Sequence, residues 1–156
     1  MISDLKIVPV ECVSFCFRDP QIRAWLRDVG SVLELYVYKA CLDSGLFNDV
    51  RTSAVVDWNG DGRENAVSNE LDVMCTRGIT PVFISCKTCM IRTEALNELA
   101  VLRDRFGGEI ARAAIVTAEP AGASARNRAA ELNIRIIDLN DLEESTIGQS
   151  IQSLMK

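Results

Sequence analysis

The stretch from Asn69 to Thr88, Asn-Glu-Leu-Asp-Val-Met-Cys-Thr-Arg-Gly-Ile-Thr-Pro-Val-Phe-Ile-Ser-Cys-Lys-Thr, constrains this chain more than any other, because it reads as two strands joined by a tight turn. In its first half Glu70, Asp72 and Met74 alternate with Leu71, Val73 and Cys75, so a period of two puts both carboxylates on one face. Its second half is the apolar run Val82-Phe83-Ile84 followed by Ser85-Cys86-Lys87, with Ser85 and Lys87 sharing a face. A paired hairpin therefore brings acids and a lysine to one end.

The residues beyond the hairpin decide the class. A helix is expected over 92–106, ended by Gly107-Gly108, then a buried strand at 113–117, a helix at 123–132, a strand at 134–138 and a weaker helix over 141–155. Strands alternating with helices imply parallel pairing through right-handed crossovers. Before the hairpin, Asp19-Pro20 is a helix start, and apolar residues recur at helical spacing from Ile22 to Ala40, so residues 20–44 read as a helix interrupted or kinked near Gly30. Residues 52–58 form a β-branched strand, and Asn59-Gly60-Asp61-Gly62 is a hairpin turn. That turn imitates the opening of a calcium loop, but its twelfth position is Ser68 instead of a bidentate glutamate. The order becomes α-β-β-β-α-β-α-β-α, with residues 1–18 as a linker or entry segment. A chain of 156 residues suits one domain.

The chain has no histidine, which removes Ser-His-Asp and Cys-His hydrolases and histidine-dependent metalloproteases and nucleases. Carboxylate, lysine and metal chemistry remains. A divalent cation held by carboxylates, beside a lysine that steadies an anionic oxygen, is equipment for phosphodiester hydrolysis. The net charge of −5 means that any surface attracting phosphates must be local. Six cysteines could make three disulfides in a secreted chain, yet no basic region with an apolar stretch opens the sequence and no apolar run has membrane length. A cytoplasmic location with reduced cysteines is expected. Cys86 and Cys89 make a lone Cys-x-x-Cys without a second pair suited to zinc.

Each candidate has a plainer reading. Glu34 lies between Leu33 and Leu35, at the margin of an apolar stripe, where a solvated acid is as natural as one aimed at a metal. Lys87 and Asp72 could be a simple strand-end ion pair, and Trp58 either stacks on an unpaired base or fills the core. Arg103, Arg105, Arg126 and Arg128 are candidate nucleic-acid contacts or ordinary surface charges.

The blocks Trp25–Tyr38, Asp49-Val50, Asn69–Val73, Phe83–Thr88 and Arg105–Gly108, in that order, resemble the PD-(D/E)xK nuclease domain of the CRISPR-associated effectors that join it to a CARF sensor of cyclic oligoadenylate. The resemblance covers about residues 13–138. It implies a restriction-endonuclease-like three-layer α/β/α fold with a mixed central sheet, spanning residues 19–156. It implies a metal-dependent endonuclease acting on single-stranded DNA and/or RNA in antiviral defence, working as a homodimer. Catalytic candidates are Glu34, Glu70, Asp72, Ser85 and Lys87. Mn²⁺ or Mg²⁺ would be held by Asp72 and the Cys86 carbonyl, with Glu34 or Glu70 reaching it directly or through water. Lys87 would orient or deprotonate the attacking water, giving a 5′-phosphate and a 3′-hydroxyl.

Two departures qualify this. The length accommodates the nuclease without a sensor, as in an excised half or a stand-alone relative. Ser85 stands where the motif has a carboxylate, and a neutral hydroxyl is a poor metal ligand. The alternative is a nuclease-fold domain that binds nucleic acid or a protein without cutting.

Overall fold

The computed structural model describes residues 2–8, 12–17, 19–26, 28–58, 68–144 and 147–155. The Asn59–Gly62 turn lies outside these described residues. The elements in order are β1 (Ile2–Val8), β2 (Cys12–Phe17), α1 (Pro20–Trp25), α2 (Val29–Asp43), β3 (Asp49–Asp57), β4 (Ser68–Arg77), β5 (Thr80–Lys87), α3 (Thr93–Phe106), β6 (Arg112–Thr117), α4 (Ala123–Glu131), β7 (Arg135–Ile137), α5 (Leu139–Glu144) and α6 (Ile147–Ser153).

β3 through β7 form one sheet in chain order; β3, β4 and β5 pair antiparallel, while β5, β6 and β7 pair parallel. The change of direction falls at β5, which is buried from both sides. Val82, Ile84 and Cys86 join a core with Val37 and Cys41 of α2 and Ile147 and Ile151 of α6. Phe83 joins another core with Leu96, Leu99 and Leu102 of α3 and Ala129 of α4. Helices on both faces of a mixed sheet make three layers, as the family resemblance implied.

The hairpin register runs from Val73 opposite Ile84 to Arg77 opposite Thr80, leaving Gly78 and Ile79 as a two-residue loop. Gly78 has φ +60°, and its N–H donates to Asn48 Oδ1 at 2.5 Å. Gly107 is required for a different reason. A Cβ there would lie 2.3 Å from Ala111 Cβ and 2.9 Å from Phe83 Cε2, so only glycine lets the end of α3 close over the sheet.

The entry segment forms an antiparallel two-stranded sheet of its own, β1 with β2. The interruption expected near Gly30 falls just before it, where Asp28 caps a new helix by accepting from the N–H groups of Gly30 and Ser31, at 3.2 and 3.4 Å. The final helix is two short ones, α5 and α6.

Candidate functional site

The alternation along β4 slips at Asp72. Val73 and Cys75 pack toward α2, whereas Leu71, of the same parity, packs toward α3. On the neighbouring strand Ser53, between the pairs Thr52 with Val73 and Ala54 with Leu71, takes φ +52°, a left-handed conformation that costs a serine about 1–2 kcal/mol. Thr52 Oγ1–H donates to the Asp72 carbonyl at 3.1 Å. Glu70 and Asp72 both line one pocket.

The ladder between β4 and β5 stops at Val73 and Ile84, and the Asp72 side chain takes over where it stops. Its Oδ2 accepts the Cys86 N–H at 2.5 Å and the Ser85 hydroxyl at 3.1 Å. The carboxylate is thus fixed by two donors, while Ser85 acts toward it as a hydrogen-bond donor. Among the described residues no salt bridge joins Asp72 to Lys87, so the plain ion-pair reading of those two does not hold.

A pocket of about 70 Å³ opens here, lined by Asn69, Glu70, Asp72, Ser85 and Lys87 from the sheet and by Ala95, Glu98, Leu99 and Leu102 from α3. Glu34 approaches from α2. Its carboxyl is held above the ordinary carboxylate range, first by burial and then by the negative charges of Asp72 and Glu70, with Asp28 adding and Lys87 partly offsetting. The structure thus brings Glu34, Glu70, Asp72, Ser85 and Lys87 into one electrostatic neighbourhood, although no three Cys, Asp or Glu side chains among the described residues gather closely enough to hold a metal ion. The Cys86 thiol is buried, and burial, with Asp72 and Glu34 adding to it, raises its pKa well above the ordinary range. Cys86, buried, and Cys89, exposed, are both outside any disulfide.

The arginines divide. Arg103 donates to the carbonyls of Leu132 and Asn133, at 2.6 and 3.2 Å. Arg126 pairs at 2.5 Å with Asp138, which is fully buried. Arg128 bonds Asn97 and Glu131. These three guanidinium groups are bonded to acceptors of the chain itself, a use that neither the reading of them as nucleic-acid contacts nor the reading as ordinary surface charges named. Arg105 instead lies over the Trp58 ring, 5.7 Å from its centroid.

Sequence reading missed Asn69, which lines the pocket and accepts from the Trp58 indole N–H, and it did not place the pocket's α3 wall. The spacing of Ala95, Leu99 and Leu102 marks the apolar face of α3 but not what that face covers. A larger hollow of about 410 Å³, between Arg112 and Arg135 at the opposite end of the parallel strands, is lined by no carboxylate.

Residues 23–152 match the family model described as Card1-like, endonuclease domain. Among solved structures, the chain is similar to protein VC1899 from Vibrio cholerae, with TM-score 0.70 and 25% identity over 90% of this chain and 38% of that one. It is also similar to Can2 from Sulfobacillus thermosulfidooxidans, solved in complex with cyclic tetra-adenylate, with TM-score 0.67 and 19% identity over 96% of this chain and 42% of that one. The small subunit of the heterodimeric restriction endonuclease R.BspD6I matches with TM-score 0.53 and 8% identity, over 84% of this chain and 75% of that one. The fold is restriction-endonuclease-like. The chain spans about two-fifths of the length of the first two structures. No curated protein matches the sequence.

Proposed function

The chain belongs to the Card1-like endonuclease domain family, and from that premise we propose a metal-dependent nuclease that hydrolyses phosphodiester bonds of single-stranded DNA and/or RNA in CRISPR-type defence. One observation carries the reading: Glu70, Asp72, Ser85 and Lys87 line one pocket at the end of the central hairpin, and burial, with the negative charges of Asp72 and Glu70 adding to it, holds the Glu34 carboxyl above the ordinary range.

A divalent cation suits this place. Carboxylates that repel one another are relieved by positive charge, and carboxylate and main-chain carbonyl oxygens are hard donors fitting Mg²⁺ or Mn²⁺. Asp72, the Cys86 carbonyl and Glu34 would hold the ion, and Glu70 would reach it directly or through water. When bound, it polarises the phosphate and lowers the pKa of a coordinated water.

The chain's own groups do the rest. The Cys86 N–H and the Ser85 hydroxyl keep Asp72 in one orientation before substrate arrives. Lys87 orients the attacking water for in-line displacement and offsets charge on the phosphorane-like transition state. The apolar wall of α3 limits water on one side of the pocket.

The unit is read as the nuclease domain of residues 19–156, acting as a cytoplasmic homodimer. Exposed Val32 and Tyr36 on α2, beside a hollow of about 400 Å³, offer a partner surface. No helix among the described residues is long and apolar enough to cross a membrane. Control by a CARF sensor, as in the effectors that the sequence resembles, is in keeping with the cyclic tetra-adenylate held by Can2.

The test is cleavage of labelled single strands with Mn²⁺, Mg²⁺ or EDTA, together with analysis of the product ends. Metal-dependent cuts leaving 5′-phosphates support the reading. Ser85 in the carboxylate's place favours a second reading, a domain that binds without cutting. Its mark is Mn²⁺ or oligonucleotide binding without products.

A further inference from the structure

Trp58, half-buried, directly follows β3 and packs with Ala54 and Val56 against the core on the α3 side. Its indole N–H donates to Asn69, and Asn69 lines the pocket that holds Asp72, Ser85 and Lys87. Phe106 meets the indole edge-on, with centroids 5.5 Å apart at 66°, and stays 38% exposed. Arg105 is exposed, lies over the ring and reaches the Trp58 carbonyl at 3.4 Å. Leu102, four residues before Phe106 on α3, belongs to the pocket wall. An aromatic shelf capped by a guanidinium therefore continues the pocket through Asn69 on one side and Leu102 on the other.

The shelf supplies what the pocket lacks. Glu34, Glu70, Asp72 and Glu98 repel a polyanion, so a strand entering here needs a cation at the rim. Arg103, in the same turn of α3, cannot serve, because its guanidinium is turned inward to the carbonyls of Leu132 and Asn133. Arg105 combines positive charge with a flat, weakly hydrated surface already layered on an indole. Such a surface takes the face of an unpaired base, which a base inside a duplex cannot offer.

We propose that Trp58 and Arg105 form a subsite for an unpaired nucleotide flanking the scissile phosphodiester, the base stacking on the guanidinium and indole layer while Arg105 neutralises the adjacent phosphate. The proposal rests on the nuclease reading above and assigns the source of its preference for single strands. Trp58 and Arg105 are positioning residues, remote from the bond that breaks.

Binding is measured in EDTA, so that cutting is not required, by anisotropy of a short labelled oligothymidylate and a labelled duplex of equal length across a salt series. Arg105→Ala should weaken single-strand binding about tenfold and lower the salt slope by about one, leaving duplex binding unchanged. Arg105→Lys should restore the slope with only part of the affinity, and Arg112→Ala, at the far end of the sheet, should change neither. In a Trp25→Phe background, where Trp58 is the sole tryptophan, oligothymidylate should quench the emission. Single-strand binding that Arg105→Ala leaves unchanged, emission indifferent to the oligonucleotide, or a parent chain that does not bind single strands overturns the subsite. Arg105-dependent binding without metal-dependent cutting keeps the subsite and sinks the nuclease. Cutting whose KM is untouched by Arg105→Ala does the reverse.

Discussion

Ser85 donates its hydroxyl to Asp72, at 3.1 Å, from the position where the resembled motif places a second carboxylate. With the Cys86 N–H on the same oxygen, this bond satisfies Asp72 Oδ2 from within the chain. A carboxylate in place of Ser85 would instead repel Asp72 and compete to hold a cation.

Restoring that charge should therefore strengthen metal binding and weaken the metal-free fold. Ser85→Glu is expected to tighten Mn²⁺ binding by about tenfold in isothermal titration. Without metal its thermal midpoint should fall below that of the parent, and saturating Mn²⁺ should recover the difference.

Glu34 makes a prediction with a defined sign. Its folded pKa lies above the ordinary value of 4.5, through burial and then Asp72 and Glu70. The folded state thus binds more protons than the unfolded one in the window above that value, and stability falls as pH rises through it. Glu34→Gln removes the penalty. The variant should melt higher than the parent at pH 7, with the gain vanishing below about pH 4, and thermal melts across pH measure both.

Asp138 behaves in the opposite sense. Burial alone would raise its pKa, but the Ala121 and Asp141 N–H groups, the Arg126 guanidinium and the Asn140 N–H outweigh burial and hold it below the ordinary value. Its contribution is present at neutral pH and lost as pH falls through that lowered value. Asp138→Ala, which removes the partner of the half-exposed Arg126 and strips the start of α5, should cost about 1–3 kcal/mol in denaturant unfolding. Arg126→Ala should lower stability too, while leaving oligonucleotide affinity near that of the parent.

Gly107→Ala tests the close approach of α3 to the sheet. The added methyl meets Ala111 and Phe83 inside contact distance, and the Arg103 carbonyl stands at 3.1 Å. A loss of about 1–3 kcal/mol is expected. Gly122→Ala, where the new methyl meets open space, is the control and should stay within about 0.5 kcal/mol.

The layers of this fold were legible because hydrophobic periodicity records burial. The run Val82–Ile84 and the spacing of Leu96, Leu99 and Leu102 describe opposite sides of one packed sheet. The gathering of acids with Lys87 at the hairpin's end was legible for the same reason. The features that stayed hidden depend on long-range geometry. Nothing in the residue Ser53 announces a left-handed backbone opposite Asp72. Arg103, Arg126 and Arg128 look alike along the chain, and their roles are decided by Leu132, Asp138 and Asn97, which only tertiary structure brings near. The break before Gly30 was written in Asp28 and Ser31, a cap that the glycine drew attention away from.

Asp72 and Lys87 are proposed to belong to a working hydrolytic centre despite Ser85, and everything else in the mechanism depends on that. Cleavage of labelled single-stranded DNA and RNA with Mn²⁺, at protein concentrations high enough to populate a dimer, tests it when the parent is run beside Lys87→Ala and Asp72→Asn. The expected outcome is cutting by the parent that EDTA stops and that each substitution lowers by at least about a hundredfold, with both variants still folded. Cutting that survives both substitutions, or a folded dimeric parent that binds Mn²⁺ and leaves every strand intact, refutes the assignment.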